Sequence, residues 1–119
     1  MVKLETQMHP FRLSLKNKTP VTLLIEIEND SDKPIMLSYE VLLGNSIAFS
    51  KQGLTNAMSK KFDKFAPGAK DRQYYEIYAK PTARTGIEEP VVITLMEHYN
   101  GSYNYILGKK TKNLSVLIE

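Results

Sequence analysis

The sequence predicts an all-β fold, a sandwich or barrel, on three observations. Large aliphatic residues fill every odd position of Val21-Thr22-Leu23-Leu24-Ile25-Glu26-Ile27-Glu28. The same alternation resumes with Ile35, Leu37, Tyr39, Val41 and Leu43. Between and beyond these runs, clusters of Asn, Asp, Pro and Gly punctuate the chain at strand-like intervals.

Taken in order, the first predicted strand is Phe11-Arg12-Leu13-Ser14-Leu15, ended by a turn at Asn17-Lys18-Thr19-Pro20. Residues 21–28 form the clearest strand with one buried face, and Asn29-Asp30-Ser31-Asp32-Lys33-Pro34 stops it, because these residues bond their own backbone or fix φ. Residues 35–43 follow as a second core strand. Only residues 53–61 have room for a helical turn, and their Gly, Thr and Asn disfavour it. Tyr74-Tyr75-Glu76-Ile77-Tyr78-Ala79 is rich in β-formers, with Tyr74 and Tyr78 on one face and Tyr75 on the other; cross-strand packing is expected of Tyr74 or Tyr78. Residues 90–96 are apolar on both faces, as in a central strand. Asn100-Gly101 then signals a hairpin, since both residues accept positive φ. The strand leaving it is expected to break at Gly108-Lys109-Lys110, and residues 114–118 close the chain. The count is about seven strands.

At 119 residues, 42% apolar and 24% charged, the chain has the size and composition of one globular domain, read here as residues 1–119. It has no cysteine, which excludes disulfides, thiolate nucleophiles and Cys-ligated metals. No apolar run reaches signal-peptide or membrane-span length, so the expectation is a cytoplasmic protein with no membrane span; the alternative is an extracellular one, if the chain is a fragment of a surface protein. The net charge of +3 is too small to imply a nucleic-acid partner. Between Lys51 and Arg72, however, six basic residues face two aspartates, a local +4, which places the basic surplus in that segment.

Two stretches resemble a known pattern: the strand ending in Asn29-Asp30-Ser31-Asp32-Lys33-Pro34, and Lys64-Phe65-Ala66-Pro67-Gly68-Ala69 before a strand. Their order is similar to that in immunoglobulin-like domains of the cell-adhesion-related type found in archaeal and bacterial proteins. The resemblance spans nearly the whole chain and rests on short turn motifs. It implies an immunoglobulin-like, two-sheet antiparallel β-sandwich of about seven strands, serving as an interaction or spacer module. In physical terms, Pro67 sets φ at the second position of a turn and Gly68 supplies positive φ at the third.

Chemistry has few places to sit. His9 and His98 lack metal-ligand spacing, and Glu97-His98 points to opposite faces of a strand expected to run out into solvent. Glu88-Glu89 reads as loop residues opening a strand. No Gly-x-Ser-x-Gly or Gly-rich phosphate loop exists, and the oxygens of residues 29–32 lack the distal Glu of a calcium loop. No catalytic, cofactor or metal residue is assigned, and the protein is read as non-enzymatic. Tyrosine is rigid, apolar along its ring and polar at its tip, so Tyr99, Tyr103 and Tyr105 around the Asn100-Gly101 turn are the first candidates for a partner surface. Lys60, Lys61 and Lys64, interleaved with Phe62 and Phe65, are the second; that pattern also suits single-stranded nucleic acid, which the modest overall charge disfavours. Sequons at Asn17, Asn29, Asn100 and Asn113 lend weight to the surface-protein alternative, with glycan contact as one variant of it. The function expected is a non-catalytic protein-interaction or structural module that binds a protein or a second copy of itself by a sheet edge or by the Tyr-rich turn.

Overall fold

The computed structural model describes residues 2–10, 12–16, 19–99 and 102–119. Among these residues nine strands run in chain order as β1 (Val2–His9), β2 (Arg12–Leu13), β3 (Val21–Asn29), β4 (Ile35–Leu43), β5 (Ile47–Ala48), β6 (Ala57–Phe65), β7 (Lys70–Ala79), β8 (Glu88–Tyr99) and β9 (Ser102–Ile118). No helix occurs among the described residues, so none is long and apolar enough to cross a membrane. One sheet has the order β1-β3-β7-β5 and the other β2-β9-β8-β4-β6. Every pairing is antiparallel except that of the two-residue β2 with β9.

The period-2 patterns place the core between the sheets. Val21, Leu23, Ile25 and Ile27 of β3 face Leu37, Tyr39 and Val41 of β4 with Val91 and Ile93 of β8, all fully buried. Burying an aliphatic side chain of this size stabilises the fold by about 1.5–3 kcal/mol. The molecule measures 48 × 24 × 19 Å. Nine-residue strands span only about 30 Å, so the long dimension reflects the β8–β9 hairpin.

Three expectations about the strands are corrected. Two long strands, β1 and β6, lie outside the seven expected, and β6 occupies part of the stretch with room for a helical turn. In β6 the inward positions are Met58, Lys60 and Phe62, and the lysine at an inward position conceals the period. The closing segment is one strand of 17 residues rather than two. Register shifts between Glu97 and Tyr99 absorb the extra residues of β9 on the side of Leu107, and pairing continues from Gly108 to Leu117. Finally, Tyr74, one of the two tyrosines expected to pack across strands, is largely exposed, and it is Tyr75 that packs against the core.

The two turn motifs meet at one residue. Asn29 is fully buried, and its Nδ2 donates to the carbonyls of Lys33 (2.8 Å) and Phe65 (2.9 Å). Its Oδ1 accepts from Ser31 N (3.0 Å) and Ser31 Oγ (2.6 Å). The Asn29 backbone bonds Ala69 O (3.0 Å) and accepts from Gly68 N (2.7 Å). Gly68 has φ 75°, and Ala69 N donates to Ala66 O at 3.0 Å, which is the turn that Pro67-Gly68 predicts. One side chain thus ties the β3–β4 turn of one sheet crossing to the β6–β7 turn of the other.

Candidate partner-binding surface

The end of the β8–β9 hairpin is built by a mismatch in strand length. His98 pairs with Ile106 and Tyr99 with Ser102, so Tyr103, Asn104 and Tyr105 have no ladder partners on β8. Released from the pleat, Tyr103 folds over the outer face of the five-stranded sheet. Its ring meets His98 edge-on at 5.1 Å, its hydroxyl donates to Asp63, and the Lys61 ammonium lies 4.9 Å from its centroid. The bond to Asp63 pushes the Tyr103 phenol up to about 12, because ionisation would set two negative charges side by side.

Beneath this cover His98 is buried, not running out into solvent as its strand position suggests. Its Nε2 shares a 2.7 Å hydrogen bond with Ser38 Oγ, while Nδ1 is buried without a partner. Among the described residues no carboxylate orients the ring, so there the Ser38–His98 pair has no third member of a nucleophilic triad. No cluster of three or more metal-ligating side chains exists among the described residues.

Tyr99 and Tyr105 behave differently from Tyr103. They are 59% and 61% exposed, stack edge-to-face at 5.6 Å, and adjoin exposed Ile106 and Leu107. The other exposed large apolar residues, Leu42, Leu54 and Tyr74, belong to separate strands or loops. Asn100 and Gly101, on which the hairpin signal rested, lie outside the described residues, as does Asn17.

The basic segment disperses. Lys60 turns into the open edge of the sandwich, where its ammonium sits 3.2 Å from Asp71 and 5.1 Å from the Phe62 ring. Beside it the Tyr39 and Tyr75 hydroxyls bond across the sheets, and burial followed by that bond raises the Tyr39 phenol's proton affinity. Lys70 pairs with Glu28 (3.7 Å) and Arg72 with Glu26 (2.6 Å) on the other sheet. Lys61 is taken up by Tyr103, and only Lys64 of the three predicted lysines is exposed without a partner among the described residues. The charges do not converge on one track, because β6 and β7 lie in different sheets.

A second basic row emerges instead on β9, which carries Lys109, Lys110 and Lys112 and no carboxylate. Lys110 donates to the Val2 carbonyl, closing the gap to β1. The break expected at Gly108-Lys109-Lys110 is absent, and continuous pairing with β8 makes Lys109, Lys110 and Lys112 part of one edge strand. Of the sequons, Asn29 has both Nδ2 hydrogens engaged and no room for a glycan, while Asn113 is exposed on β9. Glu89 is buried and accepts from Ser46 N (2.8 Å), which gives it a turn-capping place.

No family model and no curated protein matches the chain. Solved structures do. A FixG-related protein from Vibrio parahaemolyticus aligns with TM-score 0.61 and 9% identity over 99% of this chain and 96% of its own. Native α-2-macroglobulin of E. coli aligns with TM-score 0.66 and 17% identity, over 99% of this chain and 6% of that one. BcpA, the major pilin subunit of Bacillus cereus, aligns with TM-score 0.63 and 10% identity, over 99% and 40%. The chain therefore spans a small part of the macroglobulin and less than half of the pilin. At these identities the likeness concerns architecture alone, and on that ground the chain is an all-β, immunoglobulin-like two-sheet sandwich, similar to domains of bacterial proteins.

Proposed function

We propose that this chain is a non-catalytic, immunoglobulin-like module of a bacterial surface protein, and that it engages another protein through the end of its β8–β9 hairpin. The observation that carries the reading is the exposed run Tyr105-Ile106-Leu107 with Tyr99 against Tyr105, the one place among the described residues where several exposed large apolar residues are neighbours in the chain or in ring contact. Similarity to part of a pilin subunit and part of a macroglobulin supports the surface-module aspect over a cytoplasmic one. The meeting of the two turn motifs at Asn29 supports the cell-adhesion-related type. Dispersal of the basic segment over two sheets argues against a nucleic-acid track.

A photo-reactive residue placed at Tyr99 or Tyr105 in the native host tests this. A specific protein adduct is expected there and none from the same residue at Leu54, an isolated exposed apolar position. Adducts from Leu54 alone, or equal adducts from both places, overturn the hairpin as the contact.

A further inference from the structure

The outer edge of β9 has the form of an acceptor for an added strand. Pairing along its far side is confined to Arg12↔Leu117 and Leu13↔Ile118, so from Ser102 to Val116 the backbone of the strand pairs only with β8 among the described residues. Along such a strand every second residue turns its N–H and C=O outward. On the other long edge strands the contacts of the cations differ from those of β9. β6 has Lys60 tied back to Asp71 and Lys61 to Tyr103, and the tip of β1 is held by Lys110.

The side chains along β9 determine which strand fits. Lys109 and Lys112 reach no carboxylate among the described residues, and they point to opposite faces of the sheet, being an odd number of positions apart. Edge lysines are a common defence against indiscriminate strand pairing, and here they would set β9 against a second β9 in any register that aligned residues 109–112 with themselves. They favour a strand with carboxylates at those positions. Beyond the bulge, Tyr105, Ile106 and Leu107 offer exposed apolar surface to the same strand.

We propose that β9 accepts an extended segment of a partner protein in which a short apolar run is followed, or preceded, by acidic residues opposite Lys109, Lys110 and Lys112. The inference rests on the hairpin as the contact surface and adds the chemistry of what it holds. Carboxylates supply register and selectivity against the lysines, while main-chain hydrogen bonds supply the affinity common to all strand addition.

Two synthetic peptides serve as probes, Glu-Thr-Glu-Glu-Thr-Val-Thr-Val for antiparallel and Val-Thr-Val-Thr-Glu-Glu-Thr-Glu for parallel addition, with lysine-for-glutamate versions of each as controls. Binding to the full chain is followed by amide hydrogen exchange and by fluorescence polarisation. One acidic peptide is expected to protect alternate β9 amides between residues 105 and 112, and the lysine peptides to leave them unchanged. The variant Lys109→Glu with Lys112→Glu is expected to weaken the acidic peptide on the order of tenfold at low salt and to bind the lysine peptide in its place. Equal binding of acidic and lysine peptides, protection confined to β1 or β6, or peptide-independent pairing of β9 between two copies of the chain overturns the proposal. If the peptides fail while the adduct at Tyr99 or Tyr105 forms, the strand-addition inference falls and the hairpin contact stands. Loss of both removes the hairpin itself.

Discussion

The Asn29 corner and the end of the β8–β9 hairpin lie at the same end of the sandwich, since Val2 pairs with Asn29 and Met36 with His98. At the corner a buried amide has every donor and acceptor engaged, and two turns are locked through it. At the hairpin end a buried imidazole has one nitrogen without a partner, apolar rings face water, and four residues of β9, Tyr103, Asn104, Tyr105 and Leu107, lie outside the ladder. Buried polar groups that are fully satisfied hold a fold in one arrangement, whereas unspent surface is what a partner can use. The contrast separates what keeps this molecule folded from what it presents.

The largest test of that separation is Asn29→Ala. It strands the carbonyls of Lys33 and Phe65 in a buried site, and a loss of about 3–5 kcal/mol in urea unfolding is expected. Asn29→Asp should do no better, because a carboxylate oxygen would then face those carbonyls. Gly68→Ala probes the same corner by backbone alone. A Cβ there meets nothing within 4 Å, so the cost comes from φ 75° and should be about 1 kcal/mol.

On the hairpin side, Asp63→Asn should return the Tyr103 phenol from about 12 towards the ordinary tyrosine range, seen by absorbance titration at high pH. The sign follows from the raised value: the contribution of Tyr103 is fully present below about pH 10 and is lost as pH rises through about 12. Tyr39, held by burial and Tyr75, should titrate later still. The smallest stability effect is expected of Tyr99→Ser with Tyr105→Ser, within about 0.5 kcal/mol by thermal unfolding, with loss of the partner adduct from a probe at Ile106. A large fall in melting temperature would place those rings among the structural elements instead.

Legibility followed the same division. The runs at 21–28 and 35–43 became β3 and β4 almost residue for residue, because strict alternation against a buried face leaves a two-residue period that no other element shares. The Pro67-Gly68 turn was legible from φ requirements alone. β1 is masked in the sequence although Val2, Leu4 and Met8 alternate, since Thr6 stands where an aliphatic would complete the series. β6 was hidden by Lys60, whose place inside depends on Asp71 across the sandwich. The exposure of Tyr99 and Tyr105 followed from their place beside a turn. The return of Tyr103 onto His98 did not, because it requires knowing how many residues β9 has in excess of β8. The β9 lysines looked like a strand break for the same reason: an edge is a property of neighbours, and neighbours are absent from a local pattern.

The engagement of Asn29 also bears on how the protein ages. Deamidation proceeds when the nitrogen of the following residue attacks the asparagine side-chain carbonyl, a geometry that needs the side chain to swing back over its own backbone. With Nδ2 held by two carbonyls and Oδ1 by Ser31, that swing is closed to the folded chain and open to the unfolded one. Each excursion into the unfolded state therefore exposes the corner to a covalent change that introduces a carboxylate where the fold has no place for it. A molecule altered in this way would return to a weakened corner, so the lifetime of the native form is set in part by how seldom Asn29 is released.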